Sequence, residues 1–158
     1  MDVQMIVLGT GDWNYEEAFR QAQNQYPGRF AAHMMYSPNL STAIYGGADL
    51  FLMPSISEPC GLSQMIAMRY GPIPVVRETG GLRDSVVPYN KFTGEGTGFS
   101  FANINVQEMT GVLSEAVNLY HNEPKAWKAL QKNAMTADFS WEKSAKAYEE
   151  IYGWVTGK

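Results

Sequence analysis

The sequence has few of the features that mark secreted, membrane or nucleic-acid-binding proteins. It contains one cysteine, Cys60, so no disulfide can form within the chain, and we predict a reducing, cytoplasmic location. Its 12 lysines and arginines face 16 aspartates and glutamates, which gives a net charge of −4. No basic cluster stands out, and this argues against nucleic acid and anionic membrane as partners. Apolar runs are too short for a membrane span, and no signal peptide is predicted.

Histidine is scarce as well, with His33 and His121 far apart in the sequence. Neither lies at a metal-ligand spacing from cysteine or acidic residues. The sequence therefore predicts no metal site and no cofactor.

What the chain does contain is an alternation of short apolar runs with helical patterns. The runs that predict strands are residues 3–8, 29–35, 48–53, 73–76 and 98–101. Helices are predicted at residues 15–26, 38–47, 62–70, 106–120, 124–137 and 140–152. Continuous apolar strands that alternate with helices are typical of a parallel sheet covered on both faces. The predicted fold class is α/β.

Ligands of such sheets bind where strands end and helices begin, and three loops qualify. In the first, Gly9 and Gly11 resemble a dinucleotide fingerprint, but Asn14 stands where that motif needs glycine. A plain tight turn is the favoured interpretation. The third loop contains Gly80 and Gly81, which fit either close approach to a ligand or a structural turn, and both interpretations stay open.

The second loop leads into the helix predicted to begin near Leu62. Free backbone N–H groups of Gly61, Leu62 and Ser63 would favour a diphosphate there. Glu58 fits two roles, contact with a reacting sugar or stabilisation of the helix dipole. Cys60 is interpreted as a half-buried packing residue rather than a reactive thiol.

Six motifs together resemble those of bacterial glycogen synthases and plant starch synthases. They are residues 48–55 (ADLFLMPS), 58–62 (EPCGL), 69–71 (RYG), 74–77 (PVVR), 79–82 (TGGL) and 138–141 (DFSW). Their order and spacing agree over essentially the whole chain. The resemblance implies a Rossmann-like doubly wound parallel sheet, the C-terminal domain of a two-domain glycosyltransferase B-type fold. Residues 1–158 would form a single partial domain, the donor-nucleotide-binding half.

The same resemblance implies a retaining glucosyltransferase that moves glucose from ADP-glucose to the non-reducing end of an α-1,4-glucan. Glu58 matches the acidic residue beside the donor sugar, and Tyr36 matches the aromatic residue that stacks on adenine. Related transferases place a second glutamate where this chain has Ile66, so one carboxylate is assigned. The nucleotide-binding and donor-loop residues that match the family are Gly61, Leu62 and Ser63, then Cys60, Thr79, Gly80 and Gly81.

The departures from the family pattern limit what this chain is expected to do alone. The family's N-terminal domain is absent, as is the opening strand–helix unit that carries an arginine and a lysine for the diphosphate. Arg69, Arg77 and Arg83 match neither. Because charge stabilisation of the leaving group is a large catalytic term, the chain is predicted to be inactive alone. Its start at a second strand favours a piece of a longer protein over a natural short protein, and both stay open.

The missing strand would be the central one of a doubly wound sheet. The remaining strands would then close the gap, or a partner chain would fill it, and a homodimer is expected. An alternative function is an isolated nucleotide-sugar-binding module without turnover. A phospho-receiver domain is disfavoured because Asp49 begins its strand rather than ending it. The choice between ADP and UDP stays open.

Overall fold

A computed structural model describes residues 1–157, in which parallel strands alternate with helices. The elements are β1 Met5–Leu8, α1 Trp13–Gln25, β2 Phe30–His33, α2 Pro38–Gly47, β3 Leu50–Met53, α3 Ser63–Tyr70, β4 Ile73–Arg77, α4 Gly80–Ser85, β5 Phe99–Phe101, α5 Val106–Asn122, α6 Pro124–Thr136 and α7 Trp141–Thr156. The α/β class is confirmed, and most bounds lie within a few residues of those predicted. Two differences stand out. The sequence predicts only a turn where the short helix α4 forms, and α7 continues to Thr156.

Local sequence signals fix several helix ends. Ser37 is the N-cap of α2, where its hydroxyl accepts a hydrogen bond from the backbone N–H of Leu40 at 3.3 Å, and Pro38 takes the first helical position. Gly71 ends α3 with a left-handed φ of 115°, which glycine adopts without steric cost. Both ends were predicted from sequence.

The five strands form two separate parallel sheets. One pairs β1 with β2, and the other has the order β3-β4-β5. Within residues 1–157 no ladder joins the two sheets, so β1, β2, β3 and β5 each keep one unpaired edge. The strands described here therefore do not close up into one continuous sheet, the first of the two outcomes expected for a missing central strand.

The buried core lies around strands β4 and β5 of the larger sheet. Helices α3, α5 and α6 pack against these strands and against one another. The core side chains include Met68, Ile73, Val75, Val76, Leu82, Phe99, Leu119, Trp127 and Leu130. Helix α7 contributes no buried residue, and Trp141 and Trp154 are 89% and 85% exposed.

A bilayer-spanning helix is not found among residues 1–157, since none of the helices is both long and apolar enough.

Candidate functional site

Two of the three predicted loops lie against each other at one end of the larger sheet. Because β3 and β4 are parallel neighbours, the loops that follow them leave the same edge. The backbone N–H of Gly81 donates to the carbonyl oxygen of Glu58 at 3.1 Å. The structure thus brings Glu58 together with the glycine pair of the next loop.

The contact between these loops is made backbone to backbone. Gly80 has a left-handed φ of 44°, and a Cβ on it would overlap the carbonyl oxygen of Glu58. A Cβ on Gly81 would overlap the carbonyl oxygen of Cys60. The protein's own packing therefore requires both glycines. This supports the structural-turn interpretation, and close approach to a ligand stays a prediction.

A buried glutamine ties the same two loops together. The side-chain nitrogen of Gln64, in the first turn of α3, donates to the carbonyl of Gly61 at 2.8 Å and to the hydroxyl of Ser85 at 2.9 Å. The Ser85 hydroxyl donates in turn to the carbonyl of Gly81 at 2.6 Å. Gly61 has φ 74°, and a Cβ there would lie 2.5 Å from the oxygen of the Gln64 amide. The turn at Gly61 is built around this side chain.

The N-terminus of α3 is open. Its N-cap, Leu62, makes no side-chain capping bond, and the first backbone bond of the helix runs from Ile66 to Leu62. Among residues 1–157, no acceptor receives the backbone N–H groups of Gly61, Leu62 or Ser63. The carboxylate of Glu58 does not reach them either, so helix capping by Glu58 gains no support. Unfilled N–H groups at a helix start favour an anion.

The remaining predicted residues differ in exposure. Cys60 is an exposed free thiol, so its interpretation as a half-buried packing residue is wrong, because the turn places it on the surface. Leu62 is 64% exposed, while Ser63 and Thr79 are half-buried. Tyr36 is 89% exposed and follows β2, at the carboxyl end of the other sheet. The predicted base-stacking residue therefore follows a strand of a different sheet from the two glycine turns, which are the turn at Gly61 and the turn at Gly80 and Gly81.

Arg77 is a residue at this site that sequence reasoning did not assign. From the last position of β4, its Nε donates to the carbonyl of Ser55 at 2.7 Å, and Nη2 donates to the carbonyl of Ile56. The guanidinium group thereby holds the start of the loop that contains Glu58. The only sequence signal was an arginine at the end of an otherwise apolar strand, directly before the Thr79 turn.

The site lies on an open surface. Two clefts of about 520 and 540 Å³ are lined by residues around the start of α7 and between α3 and α6, and among the predicted site residues only Leu62 touches one of them. Among the described residues no group of three potential ligands could hold a metal ion.

The chain matches known proteins in both sequence and structure. Residues 1–136 match the family described as "Glycosyl transferases group 1". Over 151 residues the chain is 51% identical to a glycogen synthase of Lachnospira eligens and 52% identical to one of Streptococcus sanguinis. Each match covers 96% of this chain and 32% of the relative, so the chain spans about a third of the length of these curated relatives.

A solved structure agrees with the sequence matches. The catalytic domain of starch synthase IV from Arabidopsis thaliana, solved with ADP and acarbose bound, superimposes with a TM-score of 0.83 at 37% identity. The superposition covers 98% of this chain and 33% of that one.

Proposed function

Because this chain belongs to the group 1 glycosyl transferases, we propose that it is the donor-nucleotide-binding part of a glycogen or starch synthase. The proposed reaction transfers glucose from ADP-glucose to the non-reducing end of an α-1,4-glucan with retention of configuration. The open N-terminus of α3 beside Glu58 carries this proposal, because it offers unfilled N–H donors where a diphosphate would lie.

The described residues suggest a division of roles in that reaction. Backbone N–H groups of Gly61, Leu62 and Ser63 hold the diphosphate, and Thr79 lies beside the donor sugar. The bond from the anomeric carbon to the phosphate oxygen breaks, and both electrons leave with the ADP. The acceptor hydroxyl forms the new bond on the same face and gives its proton to the oxygen of the departing diphosphate. Glu58, whose carboxylate accepts no hydrogen bond within residues 1–157, is free to contact the sugar.

Tyr36 is the proposed adenine-stacking residue. Its ring is almost fully exposed and lies at the carboxyl end of β2, so one face is available for a base. The bound ADP of the starch synthase IV structure favours adenine over uracil as the base.

We expect binding without turnover from this chain alone. Arg77 and Arg69 already donate to carbonyl groups of the protein, at Ser55 and Met135, so these N–H donors are engaged and not free for a leaving diphosphate. The parts that the longer relatives contain beyond this third would supply the acceptor side. Incubation with ADP-glucose and a glucan primer should give no extension, and measurable extension would contradict this expectation.

Calorimetric titration with ADP, and separately with UDP, tests the binding proposal. Saturable ADP binding that weakens about tenfold or more in Tyr36→Ala is expected from the loss of one stacked base. Tyr148→Ala removes another exposed tyrosine, from α7, and should leave affinity unchanged. Absence of ADP binding, or an equal loss in both variants, would refute the proposal.

The unpaired strand edges of the two sheets motivate a proposal about partners. Edge strands with exposed apolar residues, such as Met5 and Ile6 of β1, favour association with another chain. We expect the isolated chain to form a homodimer. A monomeric mass in light scattering, together with a cooperative melt, would rule this out.

A further inference from the structure

The hydrogen bonds of Gln64 and Ser85 join the two glycine turns into one unit. The Gln64 amide is fully buried, although it belongs to a polar side chain at the start of a helix next to the proposed site. It donates to the carbonyl of Gly61 in the first turn, and the carbonyl of Cys60 lies 3.3 Å from the same nitrogen. It also reaches across to Ser85 on α4. Burial of a polar amide is costly unless its hydrogen bonds are made, and here the side-chain nitrogen makes them while Oε1 makes none among the described residues.

The second turn is held by hydrogen bonds to both backbone groups of Gly81, its carbonyl and its N–H. The carbonyl of Gly81 accepts from the Ser85 hydroxyl, and its N–H donates to Glu58. The hydrogen-bonded path from Gly61 through Gln64 and Ser85 to Gly81 therefore sets the distance between the turns. Neither glycine can be replaced by a larger residue without a clash, because a Cβ at Gly61 or Gly81 would overlap neighbouring atoms.

We propose that Gln64 and Ser85 are positioning residues that fix the spacing of the two glycine turns, and thereby aim the N–H groups at the start of α3. This inference rests on the proposed donor-binding function. Neither side chain needs to touch the ligand. The buried Oε1 of Gln64 has no hydrogen-bond partner within residues 1–157, so only the amide nitrogen carries the linkage.

Two variants and a matched control separate positioning from general stability. Gln64→Met keeps the side-chain length and removes the donor, while Ser85→Ala removes the link on the α4 side. Gln131→Met is the control, because Gln131 makes a similar amide bond to the carbonyl of Gly71 at 2.9 Å, away from both turns. Ser85→Thr restores the hydroxyl and should restore the wild-type behaviour.

The first readout is amide exchange of Gly81 in the ligand-free chain, which reports its bond to Glu58 directly. Exchange about tenfold faster in Gln64→Met and Ser85→Ala, but not in Gln131→Met, is expected from the loss of one hydrogen bond. The second readout is ADP affinity, expected to fall about three- to tenfold in the same two variants.

Exchange at the wild-type rate in both variants would overturn the inference, as would faster exchange with unchanged ADP affinity, since the link would then be only structural. If the wild-type chain binds no ADP, the proposed function fails. The exchange measurement still decides whether the two residues space the turns.

Discussion

The first sixty residues and the segment from Gly61 to Ala134 are built from the same kinds of elements but are packed very differently. Among residues 1–157, all the buried residues lie in the second segment. In the first, β1, α1, β2, α2 and β3 bury no residue, and Ile6 of β1 is 52% exposed. Hydrophobic burial is the dominant stabilising term, so most of the stability of this chain resides in the second segment.

The proposed site draws on both segments. The glycine turns and α3 are attached to the packed segment, whereas Tyr36 is carried by the poorly buried one. Regions with few buried contacts open locally at low free-energy cost. Binding of a nucleotide that contacts both would therefore order the first segment more than the second.

The largest effect should come from a cavity in the packed segment. Leu130 is fully buried, and Leu130→Ala should cost about 2–5 kcal/mol of unfolding free energy. The matched change Ile6→Ala removes a half-exposed side chain and should cost less than about 1 kcal/mol. Urea denaturation of the two variants measures the difference. Equal losses would mean that the two segments share one core.

Glycine substitutions sharpen the comparison at a smaller scale. A Cβ on Gly81 meets backbone, and Gly81→Ala should destabilise by about 1–3 kcal/mol, in the range of overpacking, and should weaken ADP binding. In α2 a Cβ on Gly46 has nothing within 4 Å, so Gly46→Ala should be neutral or stabilise by up to about 1 kcal/mol. Thermal melts and ADP titrations check both. A neutral Gly81→Ala would show that the loops separate easily.

Sequence reasoning succeeded where a local signal fixes the structure. The cap at Ser37, the glycine at the end of α3 and the apolar run of β4 each determine their element by chain-local physics. It missed α4, because a six-residue helix that begins with a glycine pair has no periodicity to detect.

The site was only partly predictable for a different reason. Arg77 and Gln64 act on residues that are near in space and come from other loops, and no spacing rule announces such contacts. The exposure of Cys60 likewise depends on how the turn is oriented. The roles assigned to Glu58, Tyr36 and the glycine turns through family resemblance stay predictions until binding is measured.

The smallest expected effect contrasts two carboxylates, one in each segment. The backbone N–H of Gly11 donates to Glu16 at 3.0 Å and is the main cause that lowers the pKa of this carboxyl. The backbone N–H of Asn103, at 2.9 Å, is the main cause that lowers the pKa of Glu108 at the start of α5. A carboxyl whose folded pKa is lowered stabilises the protein above its unfolded pKa. This contribution is lost as the pH falls through the folded value.

Both carboxyls should therefore lose their stabilising effect as the pH falls below about 4.5, the unperturbed pKa. The two losses should appear in different kinds of unfolding. Glu108→Gln should make the global free energy of unfolding fall less steeply as the pH is lowered, because α5 packs on the core through Ala116 and Leu119. Glu16→Gln should leave that pH dependence unchanged and instead raise amide exchange within α1, which can open while the packed segment stays folded. If Glu16→Gln changes the global pH dependence as much as Glu108→Gln does, the first segment unfolds together with the second, and the contrast in burial does not correspond to a contrast in stability.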